Sequence, residues 1–225
     1  MKVYYSPDYT VADSFDTTSK SGAVAKSLED APIEGVEVVA PNEARILRDL
    51  SKVHTPSYVE AVYGGHPRHL AESGGVGDWT PLLARSVLAS SAGCRGAARS
   101  AWTEGVAGSL SSGLHHARRS RGAGFCTFNG LALAVQEFLG LGARRVLVVD
   151  LDAHFGGGTY NILRDDWRVS SVDISTDAFD IYYNLANNGR WDLALVFKPE
   201  PYLGAISDAL DAVNDHPFDA VVYNA

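Results

Sequence analysis

The sequence predicts an α/β fold in which helices cover a mostly parallel sheet. Short apolar segments of strand length alternate along the chain with longer segments that have helical periodicity. The predicted strands are apolar along most of their length, which is typical of parallel strands buried on both faces. The chain has 225 residues, no internal repeat and no obvious linker, so we expect one domain spanning residues 1–225.

Capping signals and periodicity define the individual elements. Thr55-Pro56 and Thr80-Pro81 each combine an N-cap residue with a proline at the first helical position, and so predict two helix starts. The other predicted helices begin at Asn42 or span residues 82–102, 129–139 and 203–213. The predicted strands span residues 2–5, 36–39, 146–150, 169–174, 193–197 and 220–223.

Composition excludes several classes of function. The net charge of −8 disfavours nucleic acid as a partner, because nucleic-acid binding needs a basic face. The one basic cluster, residues 118–121, is predicted to be a solvated loop. Two cysteines give no disulfide framework, so we expect the protein to reside in a reducing cytoplasm. No segment has the apolar length of a signal peptide core or a membrane span, so no membrane partner is expected.

Residues 150–154 end a predicted strand with polar side chains. Successive strand residues alternate between two faces, so Asp150, Asp152 and His154 point the same way if the alternation continues. Carboxylate oxygen and imidazole nitrogen suit a divalent metal such as Zn²⁺. Glycines 156–158 follow and let the backbone approach a bound ion or substrate. We therefore predict a metal site at the carboxyl end of this strand.

A second chemical segment precedes it. His115 and His116 are adjacent in a glycine-flanked loop and can supply a general base and a general acid near neutral pH. Such pairs also occur on plain surfaces, so both interpretations stay open. In the following segment, Phe125 and Phe128 are either core aromatics or include one that lines an apolar channel to the metal.

Together, the segments GLHHA, GFCTFN and DLDAHFGGGT resemble the zinc-dependent deacetylases of the histone deacetylase superfamily. This superfamily includes acetylpolyamine amidohydrolases and acetoin-utilisation proteins. Residues 54–62 are similar to its early His-x-x-x-Tyr helix. The resemblance spans most of the chain and implies an arginase/deacetylase-like three-layer α/β/α fold. It also implies removal of an acetyl group from a small acylated amine or an acetyl-lysine peptide.

The resemblance implies a role for each matching residue. Asp152 and His154 match two zinc ligands, and His115 and His116 match the tandem catalytic histidines. Asp150 matches the carboxylate that orients the first histidine.

Two further sites are implied. Gly124 and Phe125 match the wall of the channel that holds the acyl-lysine chain. A monovalent cation, K⁺ or Na⁺, is implied as a second cofactor, with Asp173 standing where the family has serine. The residues implied for this cation are Asp150, Asp152, His154, Asp173 and Ile174.

The chain departs from the family pattern after the metal-binding histidine. Phe155 stands where the family has a second histidine, and Gly157 stands where it has the Asp or Asn that steadies the other catalytic histidine. We therefore expect His116 to be less well oriented than in relatives unless another group intervenes.

The largest departure is at the end of the chain, which stops at Ala225 directly after a predicted strand. In the family, a third zinc ligand and an oxyanion-stabilising Tyr or His follow that strand. A catalytic zinc site uses three protein ligands and an open position. We expect a domain that is incomplete at its C-terminus, nearly inactive alone, and partnered by a complementary C-terminal segment or a second copy.

Two alternative functions remain. Asp152-Ala153-His154 also fits the binuclear manganese motif of arginase-type ureohydrolases, although Gly156 stands where that chemistry needs a bridging Asp. A non-catalytic relative that binds acyl ligands or a partner chain is the other alternative. Retained metal affinity would separate this second alternative from an enzyme.

Overall fold

The computed structural model describes residues 1–10, 16–183, 189–213 and 217–225. The strands of this part of the chain are β1 (Lys2–Tyr4), β2 (Glu37–Val39), β3 (Ala107–Ser109), β4 (Val146–Asp150), β5 (Val169–Ser175), β6 (Trp191–Leu195) and β7 (Ala220–Asn224). Its α-helices are α1 (Asp16–Asp30), α2 (Ile46–Val53), α3 (Pro56–Gly64), α4 (Arg68–Ala71), α5 (Pro81–Glu104), α6 (Gly130–Leu141), α7 (Gly157–Leu163) and α8 (Tyr202–Val213).

The described strands form two parallel sheets rather than one. The smaller sheet has the order β2-β1-β3, and the larger has the order β6-β5-β4-β7. In the larger sheet Asp150, the last residue of β4, lies between Asp173 of β5 and Asn224 of β7. Polar residues of three neighbouring strands therefore meet at one edge of the sheet, where open α/β sheets place their ligands.

Helices cover both faces of the larger sheet. On one face, Val146 and Val148 of β4 pack into a core built mainly from α2, α3, α5 and α6. On the other face, Leu147 and Val149 pack against a second core that contains α8. This alternation of buried residues on a strand is what two covered faces require. The three-layer α/β/α fold with parallel strands is thus confirmed.

Side-chain caps define two helix starts in the structure, of which only the Thr80 cap was predicted. Thr55, the other predicted cap, makes no side-chain capping hydrogen bond, although α3 begins at Pro56 as predicted. The Thr80 hydroxyl accepts a hydrogen bond from the Leu83 N–H at 3.1 Å, and helix α5 begins at Pro81 as predicted. The Asn129 side chain accepts one from the Ala132 N–H at 2.8 Å and caps α6. No helix of the described residues has the length and apolar character to cross a membrane.

Other predicted boundaries are wrong for local reasons. Helix α2 begins at Ile46 rather than Asn42, because Arg45 is left-handed with a φ of 68°. Strand β6 lies two residues earlier than predicted, because its pairing with β5 stops at Ser175. Helices α1, α4 and α7 and strand β3 were not predicted, and three consecutive glycines at 156–158 obscure the start of α7.

Candidate active site

His115 and Asp150 form a buried contact in the candidate site. His115 Nδ1 donates to Asp150 Oδ2 at 2.7 Å, and the two side chains are 5% and 2% exposed. Burial lowers the pKa of His115, but the hydrogen bond and charge of Asp150 outweigh it, so the pKa is raised above its ordinary value. Asp150 Oδ1 accepts a further hydrogen bond from the Asn224 side chain at 2.8 Å. The carboxylate is therefore held on both sides while it orients the imidazole.

Asp152 and His154 lie beside this pair, although not by strand alternation. Strand β4 ends at Asp150, and the next residues turn. The Asp152 N–H donates to Asp150 Oδ1 at 3.2 Å, and the His154 N–H donates to Asp152 Oδ1 at 2.8 Å. These side chain–backbone hydrogen bonds are typical of Asx turns. They keep the predicted residues together where the simple alternation does not apply.

The chemistry of these donors fits a divalent metal. Asp152 Oδ1 lies 3.2 Å from His154 Nδ1 and 3.4 Å from His115 Nε2. Asp152 and His154 are partly exposed to the same cavity, and their oxygen and nitrogen atoms are donors that zinc accepts. Within residues 1–10, 16–183, 189–213 and 217–225, no three or more His, Cys, Asp or Glu side chains form a cluster suited to a metal. The described residues thus bring two predicted ligands together.

The two adjacent histidines face each other. His115 Nε2 and His116 Nε2 are 3.1 Å apart, so a proton between them can be shared by the pair. On its other side, His116 Nδ1 lies 3.0 Å from Asp180 Oδ2. Asp180 also forms an ion pair with Arg118. Asp180 was not predicted, although the unusual Gly157 indicated that His116 lacked its expected carboxylate.

Asn129 holds the histidine loop against helix α6. Its side-chain Nδ2 donates to the His115 carbonyl at 3.2 Å and to the Ala117 carbonyl at 3.0 Å. The same side chain caps the helix through its oxygen. The loop and the helix start are therefore fixed by one fully buried residue.

A cavity of about 570 Å³ opens onto the histidines, Asp152 and His154. Phe125 and Phe179 line it and are both about half exposed, whereas Phe128 is fully buried in the core. Of the two open interpretations, Phe125 therefore faces the cavity and Phe128 is a core aromatic. Gly124 has a φ of 53°, and a Cβ there would lie 2.7 Å from His116 Cγ. Only glycine fits this close approach. Phe179 was not predicted.

Asp173 lies under the site with Asp150 as its strand neighbour. Burial and then the Asp150 charge raise the pKa of Asp173 to about 7. Its Oδ2 accepts from the Gly156 N–H at 2.9 Å. Its buried Oδ1 has no hydrogen bond of good geometry among the described residues, although the Tyr182 hydroxyl is near enough to lower the pKa of the carboxyl. Ile174, the next residue, is fully buried. Two buried carboxylates with an unsatisfied oxygen are compatible with a bound cation.

The arginase-type alternative lacks its bridging carboxylate. Gly156 occupies the required position, and a Cβ there would lie 2.8 Å from Asp150 Oδ2. The basic cluster is also only partly a solvated loop. Arg119 and Arg121 are exposed, but Arg118 turns inward to Asp180.

Comparison with known proteins identifies the family. The family model described as histone deacetylase domain matches residues 15–185. Histone deacetylase 2 of Arabidopsis thaliana is 29% identical in an alignment of 253 positions, gaps included, that covers 100% of this chain. Acetoin utilization protein AcuC of Bacillus subtilis is 35% identical over 148 residues that cover 61% of this chain. The crystal structure of acetylpolyamine aminohydrolase from Burkholderia pseudomallei superimposes with a TM-score of 0.77 at 20% identity, covering 100% of this chain and 81% of that one.

The chain matches only part of these curated relatives. The matched segments cover 62% of the Arabidopsis protein and 38% of the Bacillus protein. At 20% identity, the superposition on the Burkholderia structure establishes a shared fold alone.

Proposed function

Since this chain belongs to the histone deacetylase family, we propose that it acts in the zinc-dependent hydrolysis of acetyl groups from amines. One observation supports this most directly. His115 contacts both Asp150, which orients it, and Asp152, which is a candidate metal ligand. An acid–base group and a metal-binding group thus face one cavity.

In the proposed mechanism, Asp152 and His154 would hold the zinc ion. A zinc ion bound there would polarise the acetyl carbonyl and make a neighbouring water more acidic. Asp150 keeps the His115 ring in place through the hydrogen bond to Nδ1, so that Nε2 faces the cavity side. Fixing an imidazole through its other ring nitrogen is the usual requirement for its chemistry at a metal site.

His115 and His116 move the protons. One of the two takes the proton of the attacking water, and the other, charged, protonates the departing amine. The 3.1 Å distance between their Nε2 atoms supports this proposal, because two ring nitrogens so close together can serve one substrate. Exclusion of bulk water by the buried loop strengthens these interactions, because both rings are about 95% buried.

Acetyl-lysine peptides and acetylpolyamines are the proposed substrates. Gly124, Phe125 and Phe179 give the cavity an apolar wall, which supports an extended aliphatic amine as substrate rather than a bulky sugar. The net charge of −8 attracts cationic substrates at low ionic strength. A reducing cytoplasm is the proposed location, since Cys94 and Cys126 are both free and buried thiols.

A monovalent cation is proposed as a second cofactor. Asp150 and Asp173 would carry its charge, and backbone around Asp152, His154 and Ile174 would complete its ligands. The buried, unsatisfied Asp173 Oδ1 supports this assignment. K⁺ and Na⁺ both suit carboxylate and carbonyl oxygens.

The two candidate zinc ligands among the described residues, Asp152 and His154, are fewer than the three that a catalytic zinc uses. We therefore propose that the 225-residue chain alone binds zinc weakly and turns over substrate slowly or not at all. A complementary C-terminal segment, or a second copy of the chain, would supply the remaining ligand. The whole chain is proposed to act as one domain with that partner.

The test compares two zinc-loaded proteins, namely this chain and a form extended beyond Ala225 by the matching segment of a curated relative. Acetate release from an acetyl-lysine peptide and from N-acetylputrescine is measured. We expect turnover only in the extended form. Equal turnover by both would show that the third ligand is not needed. Zinc binding without turnover in either would overturn the proposed function in favour of a non-catalytic binding protein.

A further inference from the structure

We propose that Asp180, held by Arg118, is the positioning residue of His116 and replaces the carboxylate whose place Gly157 occupies. The purpose of this arrangement rests on the proposed function, because His116 needs orientation only if it moves protons. The arrangement itself can be measured without catalysis.

The contact between His116 and Asp180 fixes the histidine ring. Asp180 Oδ2 lies 3.0 Å from His116 Nδ1, and the two side chains are 7% and 6% exposed. His116 Nε2 faces His115 on the other side of the ring. With Nδ1 donating to a carboxylate, the tautomer is set and Nε2 stays directed at the cavity.

Arg118 holds the other oxygen of the same carboxylate. Its guanidinium pairs with Asp180 Oδ1, and its Nη1 lies 3.4 Å from the Gly157 carbonyl oxygen. A buried carboxylate is costly unless it is paired and hydrogen-bonded. Each Asp180 oxygen therefore has its own partner, one cationic and one the imidazole.

Gly157 makes room for this carboxylate. A Cβ at Gly157 would lie 2.7 Å from both Cγ and Oδ1 of Asp180 and 2.5 Å from its backbone oxygen. A side chain at position 157 and the Asp180 side chain cannot both occupy this space. The Asp180 carboxylate thus occupies the space that a side chain at position 157 would need.

The backbone conformation at Asp180 also favours a functional role for this residue. Its φ is 57°, in the left-handed region that few residues other than Gly, Asn and Asp adopt. Residues held in such conformations occur often at functional sites. Asn is the matched substitution, because it tolerates this backbone and keeps the side-chain shape.

The first experiment records the ring-nitrogen NMR spectrum of His116 in the wild-type 225-residue chain and in Asp180→Asn. We expect a protonated Nδ1 in the wild type and a shift toward the Nε2–H tautomer in the variant. The single amide oxygen of Asn would accept from Arg118, which leaves the amide NH₂ group, a donor, facing His116 Nδ1. An unchanged His116 spectrum would overturn the proposal. Circular dichroism monitors folding of each variant.

Gly157→Ala tests the same idea without altering either partner. Helix propensity alone predicts equal or higher stability for alanine at the start of α7, whereas the close contacts of its Cβ with Asp180 predict that this residue must move. Our proposal predicts that the added Cβ displaces Asp180 and changes the His116 spectrum as Asp180→Asn does. Gly140→Ala is the control, since a Cβ there contacts nothing within 4 Å. A Gly157→Ala spectrum identical to that of the control would contradict the proposal.

Kinetic measurements on the extended form test the positioning role of Asp180 separately from the proposed deacetylase function. In Asp180→Asn and Arg118→Met, kcat should fall about 10- to 100-fold with little change in KM. Arg121→Ala, an exposed neighbour, should leave kcat unchanged. Unaltered kcat in Asp180→Asn would overturn the positioning role. If the wild type is inactive but the NMR changes occur, only the proposed function fails.

Discussion

His54 receives a hydrogen bond from the backbone of Asn129. His54 Nε2 lies 3.0 Å from the Asn129 nitrogen, and its Nδ1 lies 2.9 Å from the Arg118 carbonyl oxygen. Because the Asn129 N–H can only donate, Nε2 must be unprotonated and Nδ1 must carry the proton. The early His-x-x-x-Tyr segment therefore connects the end of α2 with the histidine loop and the start of α6.

The buried, uncharged His54 predicts that the free energy of unfolding decreases at acidic pH. Burial lowers the pKa of His54 from 6.5 to about 4, although the Arg118 carbonyl favours the charged form. Between these pH values the unfolded chain binds a proton that the folded protein does not. Stability therefore falls as the pH falls from 6.5 toward 4, by about 3 kcal/mol at about 1.4 kcal/mol per pKa unit.

Urea unfolding at pH values across this range measures the effect. His54→Gln does not titrate, so its free energy of unfolding should fall less steeply than that of the wild type. The two proteins are compared by the slope of the unfolding free energy against pH, because His54→Gln also lowers stability at neutral pH. Parallel curves for the two proteins would contradict the prediction. His69→Ala, at an exposed position, should match the wild-type slope.

Asn129→Ala should destabilise the chain more than the loss of a helix cap explains. The cap is worth about 1 kcal/mol. The substitution also leaves the His115 and Ala117 carbonyls without the Nδ2 donor, at about 1–3 kcal/mol for a buried group. Thr80→Ala removes only a cap and is the matched control. Equal losses of unfolding free energy in the two variants would show that the loop contacts contribute nothing.

Much of the fold was predictable because local patterns determine it. The apolar strand β4 was predicted with its exact bounds, and the Thr80-Pro81 pair gave the correct start of α5. Helix α7 was hidden because its first residues are glycines, which have poor helix propensity. Its formation depends on tertiary contacts that no local pattern records.

The candidate site was predictable where its residues are close in sequence. Asp150, Asp152 and His154 lie within five consecutive residues, so the chain itself keeps them close together. Asp180 is 64 residues from His116 and reaches it only through the packing of the loop after β5. The absent carboxylate at Gly157 indicated a gap but not the residue that fills it.

His154→Ala should reduce the zinc content of the purified chain. Loss of a ligating imidazole removes one of two ligands, whereas changes outside the ligands alone weaken metal binding about 10- to 100-fold. Metal analysis after dialysis against buffered zinc gives the stoichiometry. His69→Ala controls for loss of an exposed histidine. Equal zinc in His154→Ala and the wild type would exclude His154 as a ligand.

Potassium should stabilise the chain through Asp173, and more so above pH 7. Burial and the Asp150 charge raise the pKa of Asp173 to about 7, so the carboxylate becomes fully charged only above that pH. A cation bound between the two carboxylates would then favour the folded state by mass action. The measurement compares thermal unfolding in potassium chloride and in choline chloride at equal ionic strength. Asp173→Asn should abolish the difference between the two salts. Asp177 lies in the exposed loop after β5, so Asp177→Asn is the control and should retain the difference. If the wild type shows no preference for potassium at either pH, the cation site is not formed by these carboxylates.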